Sequence, residues 1–207
     1  MKKKKVKKIP TRQLLIETAG ELFAEYGMKG TSIKMIADQS NQNIAAVNYH
    51  FGSKKNLFVE TLNFVIEKMR EHTDTKPVKI TAKNFRAELN KFISSRCKLL
   101  LSKSKPTWYG GLLVRAFHEA SKPGKEIAIE FFYPDIELLE KMAKAAKPKI
   151  TPFAAKLWAY SVIAQIIFYI YGRRMILATN NRKVYSTEFI NDIAENIFKI
   201  SLAGLKT

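Results

Sequence analysis

The sequence of 207 residues has a single cysteine, Cys97, and only three histidines. One cysteine excludes an intramolecular disulfide framework and favours a reducing compartment, so we expect a cytoplasmic protein. His50, His72 and His118 are far apart, and the sequence has no metalloprotease, serine-hydrolase or glycine-rich phosphate-binding motif. We therefore expect no catalytic activity, no metal and no cofactor.

Long apolar runs are also scarce. The basic segment Met1–Lys8 is not followed by an apolar stretch, so we expect no signal peptide. The most apolar segment, Leu157–Tyr171, is 15 residues long and is interrupted by Ser161 and Gln165. A bilayer span needs about 20 residues. This segment is therefore expected to be a helix buried between two subunits.

Acidic residues are half as frequent as basic ones: 36 Lys and Arg stand against 18 Asp and Glu, a net charge of +18. Such an excess favours a polyanionic partner, either nucleic acid or an anionic membrane surface. Residues 1–60 contain 11 basic and 5 acidic residues, or +6, so the remaining chain has +12. Charge alone therefore does not locate a nucleic-acid-binding face.

Apolar residues recur every three or four positions, and no segment alternates as a strand does. We predict an all-α protein of about nine helices, with a three-helix helix-turn-helix domain followed by a larger helical domain. The first helix is expected from an N-cap at Thr11 to Tyr26, with Gly27 as a left-handed C-cap. Later helices are expected at about 82–103, 106–120, 124–146, 151–179 and 186–205.

Residues 32–51 predict two short helices joined by a tight turn, the arrangement that holds a helix in the major groove. Ile33, Ile36 and Ala37 are expected to pack against Ile44 and Val47. The small side chains that follow Ile44 allow close approach to DNA, and polar groups along the helix can bind base edges or phosphates. The candidate DNA-binding residues are Thr31, Ser32, Asn43, Ala45, Ala46, Asn48, Tyr49, His50 and Lys54.

The segments G-T-S-I-K-M-I-A at Gly30–Ala37 and V-N-Y-H-F-G-S-K at Val47–Lys54 resemble the two halves of the TetR-family signature. The resemblance implies that the third helix enters the major groove and that the starts of the second and fourth helices meet phosphates. Asn41 stands where the family often has Gly, and Asn tolerates the same left-handed turn. Asn48 stands where the family usually has Tyr, so Tyr49 is a candidate for that contact.

The resemblance also implies the domain organisation. Residues 1–60 would form the DNA-binding domain with its lysine arm, and residues 61–207 would bind a small-molecule effector and dimerise. The candidate effector-pocket residues are Phe92, Arg96, Trp108, Leu112, Phe117, Phe131, Trp158 and Gln165. An aromatic stripe at helical spacing is more often plain core, so these residues could instead belong to the core. Arg115, His118 and Glu119 lie within one turn and could bind a polar effector group or form a surface ion-pair cluster.

The last two long helices are expected to pair with a second subunit in a four-helix interface. The candidate interface residues are Ile163, Ile167, Ile170, Arg174, Phe189, Ile193, Ile197 and Ile200. Some of them could instead belong to the core of one subunit. The hypothesis is a ligand-responsive homodimeric repressor of pseudo-palindromic operator DNA. The alternatives are a basic protein of the membrane surface and a ligand-binding dimer whose helix-turn-helix is vestigial.

Overall fold

The computed structural model describes residues 10–71, 78–102, 106–118 and 122–205. Within these ranges the chain is all-α, as predicted, and has no strand. Its ten helices are α1 Thr11–Gly30, α2 Ile33–Gln39, α3 Ile44–Phe51, α4 Lys54–Arg70, α5 Phe85–Leu101, α6 Trp108–His118, α7 Lys122–Ala146, α8 Pro152–Tyr171, α9 Arg173–Thr179 and α10 Thr187–Ala203. The predicted helix 151–179 is two helices, because the backbone departs from helical geometry at Gly172.

The short N-terminal helices begin at side chains that cap them. The side chains of Ser32, Asn43 and Ser53 each accept a hydrogen bond from the backbone N–H three residues further on. Each cap satisfies a donor that the helix itself cannot pair. The prediction that Thr11 caps α1 is wrong, because Pro10 occupies that position and Thr11 is already helical.

Three residues in this region have positive φ: Gly27, Asn41 and Gly52, the last between α3 and α4. Gly27 has φ 75° and ψ 170° within α1, so the helix kinks there before one further turn to Gly30. Side chains rarely tolerate that conformation, which explains the glycine. Asn41, between α2 and α3, has φ 52°, which agrees with the turn expected from the sequence.

The N-terminal helices share one apolar core. The rings of Phe23 and Phe58 meet edge to face with centroids 5.1 Å apart, and Leu15, Ile36 and Val47 are buried beside the same helices. Tyr26, the expected last residue of the first helix, is half exposed and lies outside this core. The burial of these side chains holds α1, α2, α3 and the start of α4 together.

The body is a bundle in which α8 packs against α7, and α10 packs against α5 and α8. The indole N–H of Trp158 on α8 donates to the carbonyl of Ser201 on α10 at 2.8 Å. This bond crosses the helix pair inside the apolar core.

The N-terminal helices join the body through two helices. Helix α4 runs unbroken through residue 60 and contacts both α1 and α7, so the boundary expected at residue 60 falls inside a helix. Helix α1 packs along α6, where the ring of Trp108 fills the space that a side chain at Gly20 would need. The two regions therefore share a closely fitted junction.

Helix α8 is longer than the apolar segment counted in the sequence, because it begins at Pro152 and has 20 residues. By length and composition alone it could cross a membrane, and it is the one such helix among the described residues. A core helix of a soluble protein passes the same test. Ala155, Ala159, Val162 and Ile166 form a buried face along it, as expected of a packed helix.

Candidate nucleic-acid interface

Helix α3 lies on the surface with one face in the core and the other in solvent. Val47 and Phe51 are buried, whereas Asn48 is exposed and Tyr49 is 86% exposed. Eight residues of helix are about 12 Å long, which suits the width of the major groove. The exposed face of α3 is therefore free to meet another molecule.

The predicted residues on α3 and at its N-cap differ in how far they are exposed. Asn43 and Ala45 are exposed at its start, and the oxygen of Asn43 accepts from the N–H of Ala46 at 2.6 Å. Ala46 is half-buried. The half-buried ring of His50 packs edge to face against Tyr49, with centroids 5.1 Å apart. His50 thus supports the Tyr49 ring from within the helix.

The prediction that Thr31 contacts phosphate is wrong. Thr31 is 1% exposed, and its hydroxyl donates to the carbonyl of Gly27 at 2.8 Å. It stabilises the turn after the kink of α1. Its neighbour Ser32 is exposed, and its oxygen accepts from the N–H of Met35 at 3.0 Å. Since a hydroxyl can accept and donate together, Ser32 can still donate to a phosphate.

Lys54 links the starts of α2 and α4. Its ammonium donates to the carbonyl of Thr31 at 2.7 Å and is half-buried. An ammonium has three donors, so this bond leaves donors for a phosphate. The structure thereby brings Ser32, Lys54 and two helix N-termini to one side of the helix-turn-helix, where N–H groups and positive charge favour an anion.

Two residues of this surface differ from the expectations drawn from sequence. Ile44 was expected to pack inward, but it is 47% exposed at the first turn of α3. Arg12 was not singled out; its guanidinium pairs with Glu60 and lies 5.4 Å from the centre of the Phe51 ring. Its position in the first turn of α1, next to the lysine arm, could have marked it. The lysine arm itself lies outside the described residues.

The predicted effector residues do not converge on one cavity. Phe92 and Arg96 lie together, with the Arg96 guanidinium 5.5 Å from the ring centre and 2.5 Å from the Asp135 carboxylate of α7. Phe117 and Phe131 both pack on Phe132. These two groups are the part of the predicted set that lies against α7.

The other four predicted effector residues are elsewhere. Leu112 is fully buried core, and Trp158 is bonded to α10. Gln165 donates to the carbonyl of Ser161 within its own helix. Trp108 lines a cleft at the junction with α1. The prediction that these eight residues line one effector pocket is therefore wrong. Of the predicted polar cluster, Arg115 lines the same cleft, Glu119 lies outside the described residues, and the side chain of His118 is not described.

Burial shapes the chemistry of the body. It raises the pKa of the Asp135 carboxyl, and the adjacent Arg96 guanidinium opposes that rise. The Nε of Arg96 is buried without a hydrogen-bond partner. Burial raises the pKa of the Cys97 thiol to about 12, so it stays protonated and unreactive. No group of three His, Cys, Asp or Glu side chains that could hold a metal occurs in the part of the chain that the structure describes.

The expected dimer face needs correction. Ile163, Ile193 and Ile197 are buried inside the subunit, so they are core residues that a partner cannot reach. Ile167, Ile170 and Phe189 are half-buried, and Ile200 is 51% exposed. Arg174 is exposed and pairs with Glu25 of α1 at 3.0 Å. Sequence reasoning missed the exposed apolar face of α8, which consists of Phe153, Leu157, Tyr160, Phe168 and Tyr171.

Two protein families match the chain. The family of bacterial regulatory proteins of the tetR type matches residues 15–61. The family described as the C-terminal domain of the HTH-type transcriptional dual regulator CecR matches residues 85–205, more than half of the chain. The CecR protein of Shigella flexneri is 40% identical over 67 residues. That alignment covers 30% of this chain and 30% of the length of that protein.

Solved structures share the fold over almost the full length. AibR in complex with isovaleryl coenzyme A and operator DNA has a TM-score of 0.69 at 16% identity, over 92% of this chain and 97% of that one. A transcriptional regulator from Rhodococcus sp. Rha1 has a TM-score of 0.65 at 17% identity, over 94% and 97%. At such identities the likeness shows the fold alone.

Proposed function

Because the chain belongs to the TetR family of bacterial regulatory proteins and has a C-terminal domain of the CecR type, we propose that it is a ligand-responsive transcriptional repressor. It binds pseudo-palindromic operator DNA as a homodimer. Residues 1–60 form the DNA-binding domain and residues 61–207 the effector-binding and dimerisation domain, joined by the continuous helix α4. The observation that best supports this proposal is the solvent-facing side of α3, with Tyr49 86% exposed.

In the DNA complex, α3 enters the major groove with Asn48 and Tyr49 toward the base edges and phosphates. Ser32 and Lys54 bind phosphates from the starts of α2 and α4. The lysine arm, residues 2–8, follows the phosphate backbone and makes affinity steeply dependent on salt. AibR, which has the same fold, has been solved in complex with operator DNA, and this supports DNA as the partner.

The homodimer forms through the exposed apolar face of α8 together with Ile200 of α10. Five large apolar side chains in line on one helix exceed what a free surface usually presents. Packing α8 and α10 against their symmetry copies buries these side chains in a four-helix interface. Two subunits then present two copies of α3 to successive grooves.

The effector binds in the body near Arg96, Asp135 and the aromatic groups on α7. The buried Nε of Arg96 without a partner supports a polar ligand here. Since a ligand shifts an equilibrium only through its different affinity for two states, the effector prefers the form that does not bind DNA. The protein acts in the cytoplasm, where its DNA is.

Fluorescence anisotropy with a duplex that spans the region upstream of its own coding sequence tests DNA binding. We expect Tyr49→Ala to weaken binding about tenfold or more, because it removes one contact of the reading helix. Tyr133→Ala, an equally simple truncation at an exposed tyrosine of α7, should leave binding unchanged. Equal affinity of the wild type for this duplex and for a scrambled one would exclude operator recognition.

The exposed apolar face of α8 also fits a lipid surface, which is the observation in favour of a membrane-associated protein. Sedimentation with vesicles of anionic phospholipid separates the two functions. A DNA regulator stays in the supernatant when specific duplex is present, whereas a membrane protein sediments and shows no preference among duplexes.

A further inference from the structure

A cleft of about 540 Å³ lies where the DNA-binding helices meet the body. Helix α1 forms one wall, α6 the second, and the junction of α8 and α9 the third. Its volume is within the range of small-molecule sites, about 300–1,000 Å³. The cleft is separate from Arg96 and Asp135, and none of the predicted effector residues except Trp108 lines it.

Three guanidinium groups line this cleft, from Arg115, Arg173 and Arg174. Two carboxylates, from Glu21 and Glu25, face them, so the lining has a net charge of +1. Arg174 pairs with Glu25 at 3.0 Å, and this pair is mostly exposed. Such a pair is weak and its arginine is easily recruited by another anion.

The other two arginines bind neutral groups. Arg115 donates to the carbonyl of Ala24 on α1 at 3.2 Å. Arg173 donates to the carbonyl of Leu101 at 3.3 Å and lies 4.5 Å from the centre of the Tyr185 ring. Burial lowers the pKa of Arg173, which reflects the cost of a charge without a countercharge. Among the described residues, no carboxylate forms an ion pair with either arginine.

The cleft also has apolar wall surface, beside the hydroxyl-bearing Thr107 and Tyr171. This apolar surface consists of the ring of Trp108, the aliphatic side chain of Ile170 and the bare backbone at Gly111. A Cβ at Gly111 would make only ordinary contact with Ala24, so a methyl group fits between α1 and α6 at this point. A flat apolar group can lie against the Trp108 ring, with its charged end toward the arginines.

We infer that this cleft binds a small organic anion, with a carboxylate or phosphate attached to a flat apolar group. The forked donors of Arg115 and Arg174 suit the two oxygens of such an anion. The bound anion displaces Glu25 from Arg174 and so breaks one link between α1 and α9. The inference is independent of whether the protein binds operator DNA.

Isothermal titration of the full-length protein with naphthalene-2-carboxylate and with its neutral analogue naphthalene-2-carboxamide tests the site. The two probes share a ring system and differ in charge. We expect the carboxylate to bind at least about tenfold more tightly than the carboxamide, as a charge-assisted hydrogen bond predicts.

Arg115→Gln and Arg174→Gln should each remove most of that preference and leave carboxamide binding unchanged. Arg174 is mostly solvent-exposed, so its variant will fold even if Arg115→Gln does not. Arg86→Gln removes the same charge from an exposed position on α5 and should change neither titration. Equal binding of the two probes, no binding of either, or a carboxylate preference that survives Arg174→Gln would each overturn the inference.

Discussion

Helices α3 and α8 both present aromatic side chains to solvent, yet their surfaces differ in kind. On α3 a single exposed tyrosine stands beside Asn48, Ala45 and Ile44, all of them exposed. On α8 the exposed side chains form an apolar face from Phe153 to Tyr171, along almost the whole helix. A short mixed face with one aromatic group suits a groove of nucleic acid, whereas a long continuous apolar face suits a second apolar surface that covers it.

The largest expected effect comes from introducing charged residues on the exposed apolar face of α8, which tests whether this face and that of α3 have different roles. We expect the double variant Leu157→Lys and Phe168→Lys to halve the mass measured by light scattering, because the charges prevent burial of the face. DNA affinity should fall by about a hundredfold or more as the second reading helix is lost. Ile129→Lys, at a similarly exposed apolar position on α7, should keep the dimer mass.

A second test addresses the junction between the two regions. Gly20→Ala places a methyl group where the Trp108 ring lies, so α1 and α6 must move apart. We expect a loss of about 1–3 kcal/mol in the free energy of unfolding in urea. Gly111→Ala on the facing helix is the matched control, since its methyl makes only ordinary contact. Equal stability of the two variants would contradict the close fit described for this junction.

The start of α3 offers a smaller effect. Asn43→Ala removes the cap that accepts from the Ala46 N–H, and should cost about 1 kcal/mol of stability. Asn63→Ala changes the same residue type at an exposed position inside α4, where Ala is the better helix former, and should not destabilise. Urea denaturation followed by circular dichroism measures both.

The smallest expected effect is a dependence on pH inside the body. Because the pKa of Asp135 is raised in the folded protein, the folded state holds this proton more tightly than the unfolded state does. Protonated Asp135 therefore stabilises the fold fully at pH below its pKa in the unfolded protein. This stabilisation is lost as the pH rises through its higher pKa in the folded protein. The variant Asp135→Asn should be less stable than the wild type, since Arg96 loses its ionic partner. Its stability should not fall with rising pH in the way that the wild type's does. Parallel slopes from acid to neutral pH would contradict the assignment.

The N-terminal region was largely predictable from sequence. Its helices are short and its caps are polar, so Ser32, Asn43 and Ser53 mark their starts locally. The TetR resemblance, confirmed by the family match over residues 15–61, located the pair of short helices α2 and α3. The error at Thr31 arose because its hydroxyl turns back to the carbonyl of Gly27 at the kink of α1, which buries the side chain.

The body was less predictable because its helices are apolar on more than one side. Along α8 nearly every residue is apolar, so spacing does not tell the buried Ile163 from the exposed Leu157 and Phe168. Which side of α8 is covered depends on where α7 and α10 lie. For the same reason, spacing did not show which of the mostly aromatic candidate effector residues lie together. The structure places them in different parts of the body.

Helix α4 belongs to both regions and is about 25 Å long, given 17 residues and a rise of 1.5 Å each. It starts at Lys54 beside the helix-turn-helix and contacts α7 further along. Because α4 is one continuous helix that packs against other helices at both ends, a rotation at one end moves the other. A tilt of only about 5° at the body would move the other end of α4, next to α3, by roughly 2 Å, which is a large displacement if α3 enters a DNA groove as proposed.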